Sequence, residues 1–333
     1  MAVGGARQVV AVTRASVLDI DPKTYQRHAL HADDRVWVEK NCYVDIWIEM
    51  MHSLEVDPVA MLPFVVALDF EGDQWTFWKP PHRDLWDLYR IDVQELNVWR
   101  PLIEHAVEHL DAGKLISTEA DAFWLPDTAG TDYRRQHTKT TIIINDLDVG
   151  GRRLGYFHNA AYYTLESEDF VQTFHLDGVP DPSPMPLFAE IVRIDRIRRR
   201  EPGELRQIAR DLLRSHLERR PAQNPVRAFA SRFELDLEIL QERGLEFYHQ
   251  WAFATVRQLG GASEAAAMLV RWFGDAALQP AAEAFDAISN GMKTFILKAA
   301  RAVNAKRALD ARAQFEEIAA AWERGIGVLE AQV

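Results

Sequence analysis

The sequence predicts an α+β protein in which helices and an antiparallel sheet are followed by an all-helical region. Three observations support this prediction. Seven of the ten tryptophans precede residue 125, which indicates a bulky mixed core in the first part of the chain. Residues 138–144 are almost wholly β-branched, which favours a strand. The last part is rich in Ala, Leu, Glu and Arg, a composition typical of packed helices.

The first part of the chain is predicted to alternate helices and strands. Asn41 is a good N-cap, and the apolar residues after it recur at helical spacing, so a helix should open at Cys42. Asp57 and Pro58 predict the start of a short helix that runs to about residue 67. The other predicted elements are a strand at 74–78, helices at 83–89 and 101–111, and strands at 115–122, 138–144 and 153–158, with turn residues at 145–151.

Segment 178–186 marks the predicted domain boundary. Its four prolines within seven residues cannot continue a helix or a central strand, so we predict domains at 1–180 and 187–333. A further strand is predicted within 187–197, and the rest of the second domain should be helical. Its predicted helices are 202–219, 224–243, 245–259, 263–273, 280–303 and 308–331, with a helix break at Gly260 and Gly261.

Charge and cysteine content limit the function classes. The 333 residues include 38 basic and 50 acidic side chains, a net charge of −12, so we expect no DNA partner. The single cysteine, Cys42, excludes an internal disulfide and multi-cysteine metal sites, and we expect no bound metal. Because we find neither a signal peptide nor an apolar stretch long enough to span a membrane, we expect a cytoplasmic protein without membrane contact.

Cys42 is the candidate nucleophile. The unpaired N–H groups and the positive dipole at a helix start stabilise a thiolate. Cysteine catalysis also needs a base, usually histidine, and a group that orients the base. His137 precedes strand 138–144 and Asn159 follows strand 153–158, so a hairpin of these strands can bring both residues together. A lone cysteine is also often an inert packing residue, and spacing alone leaves both interpretations open.

The order of Cys42, His137 and Asn159 resembles the papain-like fold of thiol proteases and acyltransferases. In that family the cysteine caps the central helix, and the histidine and asparagine lie on adjacent strands. The segments at 41–42, 119–126 and 137 also resemble the amino-terminal domain of butirosin-pathway acyltransferases. Those enzymes move an aminoacyl group from a carrier-protein thioester to an aminoglycoside amine.

Over nearly its full length the chain also resembles a bacterial family, domain-of-unknown-function family 1839. The resemblance rests on the segments 41–45, 69–74 and 125–128. Together these resemblances imply a papain-like catalytic domain at 1–180, followed by a mostly helical C-terminal domain.

The sequence departs from papain-like proteases near the cysteine. The glutamine that completes their oxyanion hole is missing, since Val36 stands six residues before Cys42, and the usual glycine and serine neighbours are absent. An oxyanion would then be bound by the Cys42 N–H with the Asn41 side chain, or with Gln74. His158 is an alternative base, but alternation along its strand should turn it away if Asn159 faces the site.

Three further residues are candidates for substrate binding, namely Asp121, Asp127 and Tyr133. They could hold an amine or a carboxylate, or they could be ordinary turn residues. No glycine-rich phosphate loop or serine elbow is present, so we expect no cofactor other than a phosphopantetheine thioester carried by a donor protein. The most basic stretch predicts a dock for an acidic acyl or peptidyl carrier protein. The dock would use Arg196, Arg199, Arg200, Arg206 and Arg210.

These residues lead to one preferred hypothesis and two alternatives. The preferred hypothesis is a thiol-dependent acyltransferase that moves an acyl or aminoacyl group from a carrier-protein thioester, through Cys42, to a small-molecule amine. The first alternative is a cysteine peptidase or amidase, in which water receives the acyl group. The second is a non-catalytic module that binds a carrier protein or a ligand. The sequence leaves open whether the chain is a monomer or a dimer.

Overall fold

The structure, a computed structural model, describes residues 13–176 and 187–333. These residues form two compact units, each built from separate segments of the chain. The sheet unit comprises residues 13–26, 91–176 and 187–197, and the helical unit comprises 27–90 and 198–333. The predicted boundary at 178–186 lies outside the described residues, so the division into sequential domains stays a prediction.

The two units contain the following main helices and strands. In chain order they are β1 (Arg14–Ser16), α1 (Cys42–Ser53), a 3₁₀-helix (Pro58–Ala67), α2 (His82–Tyr89), β2 (Asp92–Glu95), α3 (Leu102–Asp111), β3 (Leu115–Asp121), β4 (Lys139–Asp148), β5 (Arg153–His158), β6 (Ala161–Glu166), α4 (Ser167–Thr173), β7 (Ala189–Arg193), α5 (Pro202–Glu218), α6 (Pro225–Ala254), α7 (Val256–Trp272), α8 (Gln279–Asn304) and α9 (Arg312–Gln332).

The sheet unit is built on an antiparallel sheet in which seven strands are described. Their order is β2-β7-β3-β4-β5-β6, and β1 pairs with the far end of β4. The branched side chains of Ile142 to Ile144 are fully buried, as expected for a central strand. In the β3–β4 register Asp121 lies opposite Lys139, so the end of β3 lies beside the residues that lead into β4.

The helical unit joins the early helices to those of the C-terminal segment. The 3₁₀-helix Pro58–Ala67 is almost entirely apolar and packs against α1, α5 and α7. Helix α8 packs along α6, α7 and α9. Burial of these apolar faces is the main stabilising term for such a unit.

The α+β class and the helical region after residue 202 are confirmed. Most predicted elements also match, and α1 begins at Cys42 as expected. The papain-like form of the α+β class stays a prediction. Among the described helices, none combines the length and the apolar character that crossing a membrane requires.

Three local predictions are wrong. The turn predicted at 145–151 is shorter, because β4 continues to Asp148 where β1 pairs with it. Segment 74–78 forms only an isolated bridge between Phe70 and Trp75. Helix α7 continues through Gly260 and Gly261. The glycine at 260 is explained by packing, since a Cβ there would lie 2.4 Å from the indole of Trp37.

Candidate functional site

Cys42 is the first residue of α1, and its side chain is half-buried. The N-cap is Asn41, whose Oδ1 accepts hydrogen bonds from the N–H groups of Tyr43 (3.1 Å) and Val44 (2.9 Å). The Asn41 Nδ2 donates to the carbonyl of Trp78 at 3.0 Å. The oxygen and the nitrogen of the Asn41 amide are therefore both hydrogen-bonded, which fixes the start of α1. One N–H of this amide is left for a further acceptor.

The residues around the start of α1 belong to the same helical unit. The Tyr43 hydroxyl lies 3.1 Å from Nε2 of His82, the first residue of α2, and the ammonium of Lys79 lies 5.3 Å from the centre of the Tyr43 ring. Gln74 is an exposed turn residue whose carbonyl accepts a hydrogen bond from the N–H of Glu71. Its role as an oxyanion donor stays a prediction.

His137 and Asp121 form an exposed pair in the sheet unit. Nδ1 of His137 lies 2.6 Å from Oδ2 of Asp121, and the His137 side chain is 69% exposed. The ring stacks on Phe123 at a centroid distance of 4.3 Å. Nε2 has no hydrogen-bond partner among the described residues, so the ring is oriented at one nitrogen and accessible at the other. This is the arrangement that a general base requires.

His158 has a different environment from His137. Its side chain is 1% exposed, Nδ1 lies 2.5 Å from Asp127, and Nε2 lies 2.7 Å from the hydroxyl of Thr140. The second carboxylate oxygen of Asp127 accepts from the hydroxyl of Tyr156, and burial together with the charge of Asp127 raises the pKa of Tyr156 well above its ordinary value. With both ring nitrogens engaged, His158 fits a structural role better than that of a base.

The remaining candidates of the sheet unit lie at turns and loops. Asn159 stands in the two-residue turn between β5 and β6 and has a left-handed backbone with φ of 46°. The hydroxyl of Tyr133 donates to Asp169 at 2.9 Å. Asp121 accepts not only from His137 but also from the N–H of Phe123 at 3.1 Å. Cys42 belongs to the helical unit and His137 and Asn159 to the sheet unit, so the triad stays a prediction.

A buried charged cluster adjoins α1 and was not expected from the sequence. His31 is fully buried between two carboxylates of α1: its Nε2 lies 3.0 Å from Asp45 and its Nδ1 contacts Glu49. Burial alone would lower the pKa of His31, but the charge of Asp45 and the hydrogen bonds to both carboxylates raise it above its ordinary value. The signal in the sequence was a pair of acids four residues apart among the mainly apolar residues 43–51 of α1.

Lys40 completes this cluster. Its backbone N–H donates to Asp45 at 2.7 Å, and its Nζ donates to the carbonyl of Leu30 at 2.8 Å. Burial lowers the pKa of the Lys40 ammonium. His31 and Lys40 thus share a site closed to water with the two carboxylates of α1, and Lys40 stands two residues before the first residue of that helix.

Arginines of the predicted carrier dock make contacts within the helical unit. Arg199 donates to the carbonyl of Leu54, and Arg200 donates to the carbonyls of Asp87 and Leu88. Farther along α5, Arg206 donates to the carbonyl of Trp272, and Arg210 lies 3.4 Å from Asp275. Arg196 lies in the sheet unit and is exposed. These contacts give the four helical-unit arginines a structural role, and docking stays a prediction.

Within the described residues, no group of three or more histidine, cysteine or carboxylate side chains is arranged to hold a metal ion. The comparison with curated proteins gives no significant match. Two family matches together cover most of the chain: the DUF1839 N-terminal domain matches residues 26–194, and the DUF1839 C-terminal domain matches residues 202–331. The chain therefore belongs to the DUF1839 family.

Proposed function

We propose that the protein is a thiol-dependent acyltransferase in which Cys42 carries the acyl group. The observation that supports this most is the exposed His137–Asp121 pair, which has one nitrogen oriented by a carboxylate and the other open to a reacting group. Cys42 at the first position of a capped helix supplies the second element, since helix N-termini stabilise thiolates. Asp121 takes the orienting role in this proposal, which the sequence had led us to expect of Asn159.

The proposed reaction has two steps, acylation of Cys42 and transfer of the acyl group to the amine. The Cys42 thiolate attacks the carbonyl carbon of a thioester, a new C–S bond forms, and the C–S bond to the donor breaks. The donor leaves as a thiol after taking up the proton that His137 removed from Cys42. The amine then attacks the acyl-enzyme and loses a proton to His137, which returns it to the Cys42 sulfur as the C–S bond breaks.

The donor is an acyl or aminoacyl thioester of phosphopantetheine, and the acceptor is a small-molecule amine. The proposed donor partner is an acidic acyl or peptidyl carrier protein. The exposed parts of Arg196 and Arg199 are the proposed points of contact, because opposite charges steer such encounters. A charge-reversal variant, Arg196→Glu, is expected to raise KM for the carrier-bound thioester and leave KM for a small thioester unchanged.

Because the chain has one cysteine, every thiol adduct reports on Cys42. We expect intact-mass spectra to show one acyl adduct after mixing with aminoacyl or acetyl thioesters of N-acetylcysteamine, and none with Cys42→Ala. Iodoacetamide at pH 7 should alkylate Cys42 at least about tenfold faster than free cysteine. Addition of a primary amine should release the acyl group as an amide.

Substitutions of two histidines test whether His137 is the base. His137→Gln should slow adduct formation by about 10²-fold, the lower end of the usual contribution of a general base. His175→Gln is the matched control, since His175 is an exposed histidine of the same unit, and it should leave the rate unchanged. Release of the acyl group only as free acid would indicate a hydrolase. A folded protein without adduct and with slow alkylation would contradict thiol catalysis altogether.

A further inference from the structure

A basic groove lies in the helical unit, and its lining includes none of the residues to which the proposed reaction assigns a role. Its volume is about 500 Å³, within the range of small-molecule sites. We call it the Arg257 groove. It is lined by segment 35–39, by the end of α6 with His249, Ala252 and Phe253, and by Arg257 of α7 and Lys293 and Ile296 of α8.

Cations outnumber carboxylates in the Arg257 groove. Arg35, Arg257 and Lys293 line it beside the imidazole of His249. Glu39 is the one carboxylate in this lining, and it lies 3.4 Å from Arg257. The groove is therefore positive on a chain whose net charge is −12, which concentrates anions there.

Two of these cations are available to a ligand. The Arg35 Nε donates to the carbonyl of Ala29 at 3.1 Å, and no carboxylate pairs with its guanidinium among the described residues. Lys293 is exposed and lies 4.8 Å from the centre of the Trp37 ring, again without a carboxylate partner in the described part of the chain. Phosphate groups are usually recognised by Arg and Lys side chains that line the same groove and have no carboxylate partner.

The floor of the Arg257 groove is fixed by tertiary contacts. The Trp37 side chain is buried, and its indole N–H donates to the hydroxyl of Ser289 at 3.1 Å. The backbone N–H groups of Val36 and Trp37 donate to the buried carboxylate of Glu264 at 2.9 and 3.2 Å. This support holds segment 35–39 in place before a ligand arrives, which lowers the entropic cost of binding.

One side of the groove offers an aromatic face. Phe253 is 50% exposed, and the guanidinium of Arg257 lies 5.0 Å from its ring centre. Arg257 is itself anchored, because it donates to the carbonyls of Glu39 and Lys40 at 2.8 and 3.3 Å. An exposed aromatic ring beside fixed cations suits a ligand with a flat ring and a phosphate.

We propose that the Arg257 groove binds a phosphate monoester that carries a flat ring or a flexible organic chain. The phosphate lies between Arg35 and Lys293, with Arg257 contributing charge, and the organic part lies against Phe253. Two sources share this chemistry, a nucleotide such as AMP and a phosphopantetheine. The site does not depend on Cys42, so it can be tested whether or not the chain transfers acyl groups.

The test is calorimetric titration of Cys42→Ala protein with AMP, phosphopantetheine and inorganic phosphate. We expect saturable 1:1 binding of at least one ester, about tenfold tighter than inorganic phosphate, and weaker binding at high salt. Preference for AMP would identify a nucleotide site, and preference for phosphopantetheine a site for the donor arm. Phe253→Ala should weaken binding of the ester and leave that of inorganic phosphate unchanged.

Lys293→Glu and Lys298→Glu form a matched pair, since both lysines are exposed on α8 and only Lys293 lines the groove. Lys293→Glu should weaken ester binding about tenfold or more, whereas Lys298→Glu should not change it. Equal loss in both variants would overturn the proposal, because it would indicate nonspecific attraction to the protein. Absence of saturable binding of either ester would also overturn it.

Discussion

The carboxylate of Asp121 holds Nδ1 of His137 at 2.6 Å across sixteen residues of sequence. The contact follows from the sheet register, because Asp121 ends β3 opposite Lys139 and His137 precedes β4 by two residues. A carboxylate at Nδ1 selects the tautomer that leaves Nε2 able to accept a proton and stabilises the imidazolium once formed. The pair is therefore a specific target for mutation.

Asp121→Asn should lower kcat for acyl transfer by about 10²-fold or more and leave KM nearly unchanged. The asparagine oxygen can still accept from the N–H of Phe123, so the fold should persist while the imidazolium loses its counter-charge. Measurement of kcat and KM over a range of pH tests this. The control is Glu119→Gln on the same strand, which removes only an exposed ion pair with Lys139. Equal losses in both variants would argue against a positioning role for Asp121.

Asn41→Ala should lower the free energy of unfolding by about 2 kcal/mol. The variant loses the helix cap to Tyr43 and Val44 and leaves the carbonyl of Trp78 without this donor. Urea denaturation measures the change. Asn290→Ala is the same substitution at an exposed position within α8, where we expect a change within about 0.5 kcal/mol. Similar small values for both variants would show that the cap contributes little.

Gly260→Ala should destabilise the helical unit by about 2 kcal/mol or more. The added Cβ would lie 2.4 Å from the Trp37 ring, and this ring is held in place by its bond to Ser289. The change should appear as a lower urea midpoint. Gly327→Ala in α9 is the control, because nothing lies within 4 Å of its added Cβ, and it should stabilise by about 0.5–1 kcal/mol. Stabilisation by both substitutions would show that Trp37 can move aside.

The raised pKa of His31 predicts that stability falls as the pH rises. The folded state binds the proton more tightly than the unfolded state, because Asp45 and Glu49 surround the ring. The contribution of the His31 proton to the free energy of unfolding is fully present below the pKa of the unfolded state, about 6.5. It is lost as the pH rises through the higher pKa of the folded state. Urea denaturation between pH 6 and pH 9 should show a slope of at most about 1.4 kcal/mol per pH unit from this group.

His31→Gln is the comparison for this pH dependence. The variant should be less stable at pH 6, since two buried carboxylates lose their cation, and its decline above pH 6.5 should be shallower than that of the unchanged protein. Parallel curves for the two proteins would mean that His31 is neutral in the folded state. The difference between the curves removes the contribution of titrating groups that do not interact with His31.

Local patterns in the sequence were sufficient to predict the individual helices and strands near the candidate site. The N-cap of Asn41 and the helical spacing behind it placed the start of α1 at Cys42, and the β-branched run located β4. The pairing of Asp121 with His137 was missed, because strand register depends on which residues of two distant segments face each other. The buried cluster of His31, Lys40 and Asp45 was missed for a similar reason, since its partners come from different segments.

The sequence by itself determined where most helices and strands lie, that the chain is acidic, and that it has a single thiol. Only the tertiary structure decided that segment 27–90 packs with the C-terminal helices, and that Arg35, Arg257 and Lys293 line one groove. Periodicity and capping act over a few residues and can be read along the chain. Packing depends on the match between apolar faces far apart in sequence, as Gly260 shows by leaving room for Trp37.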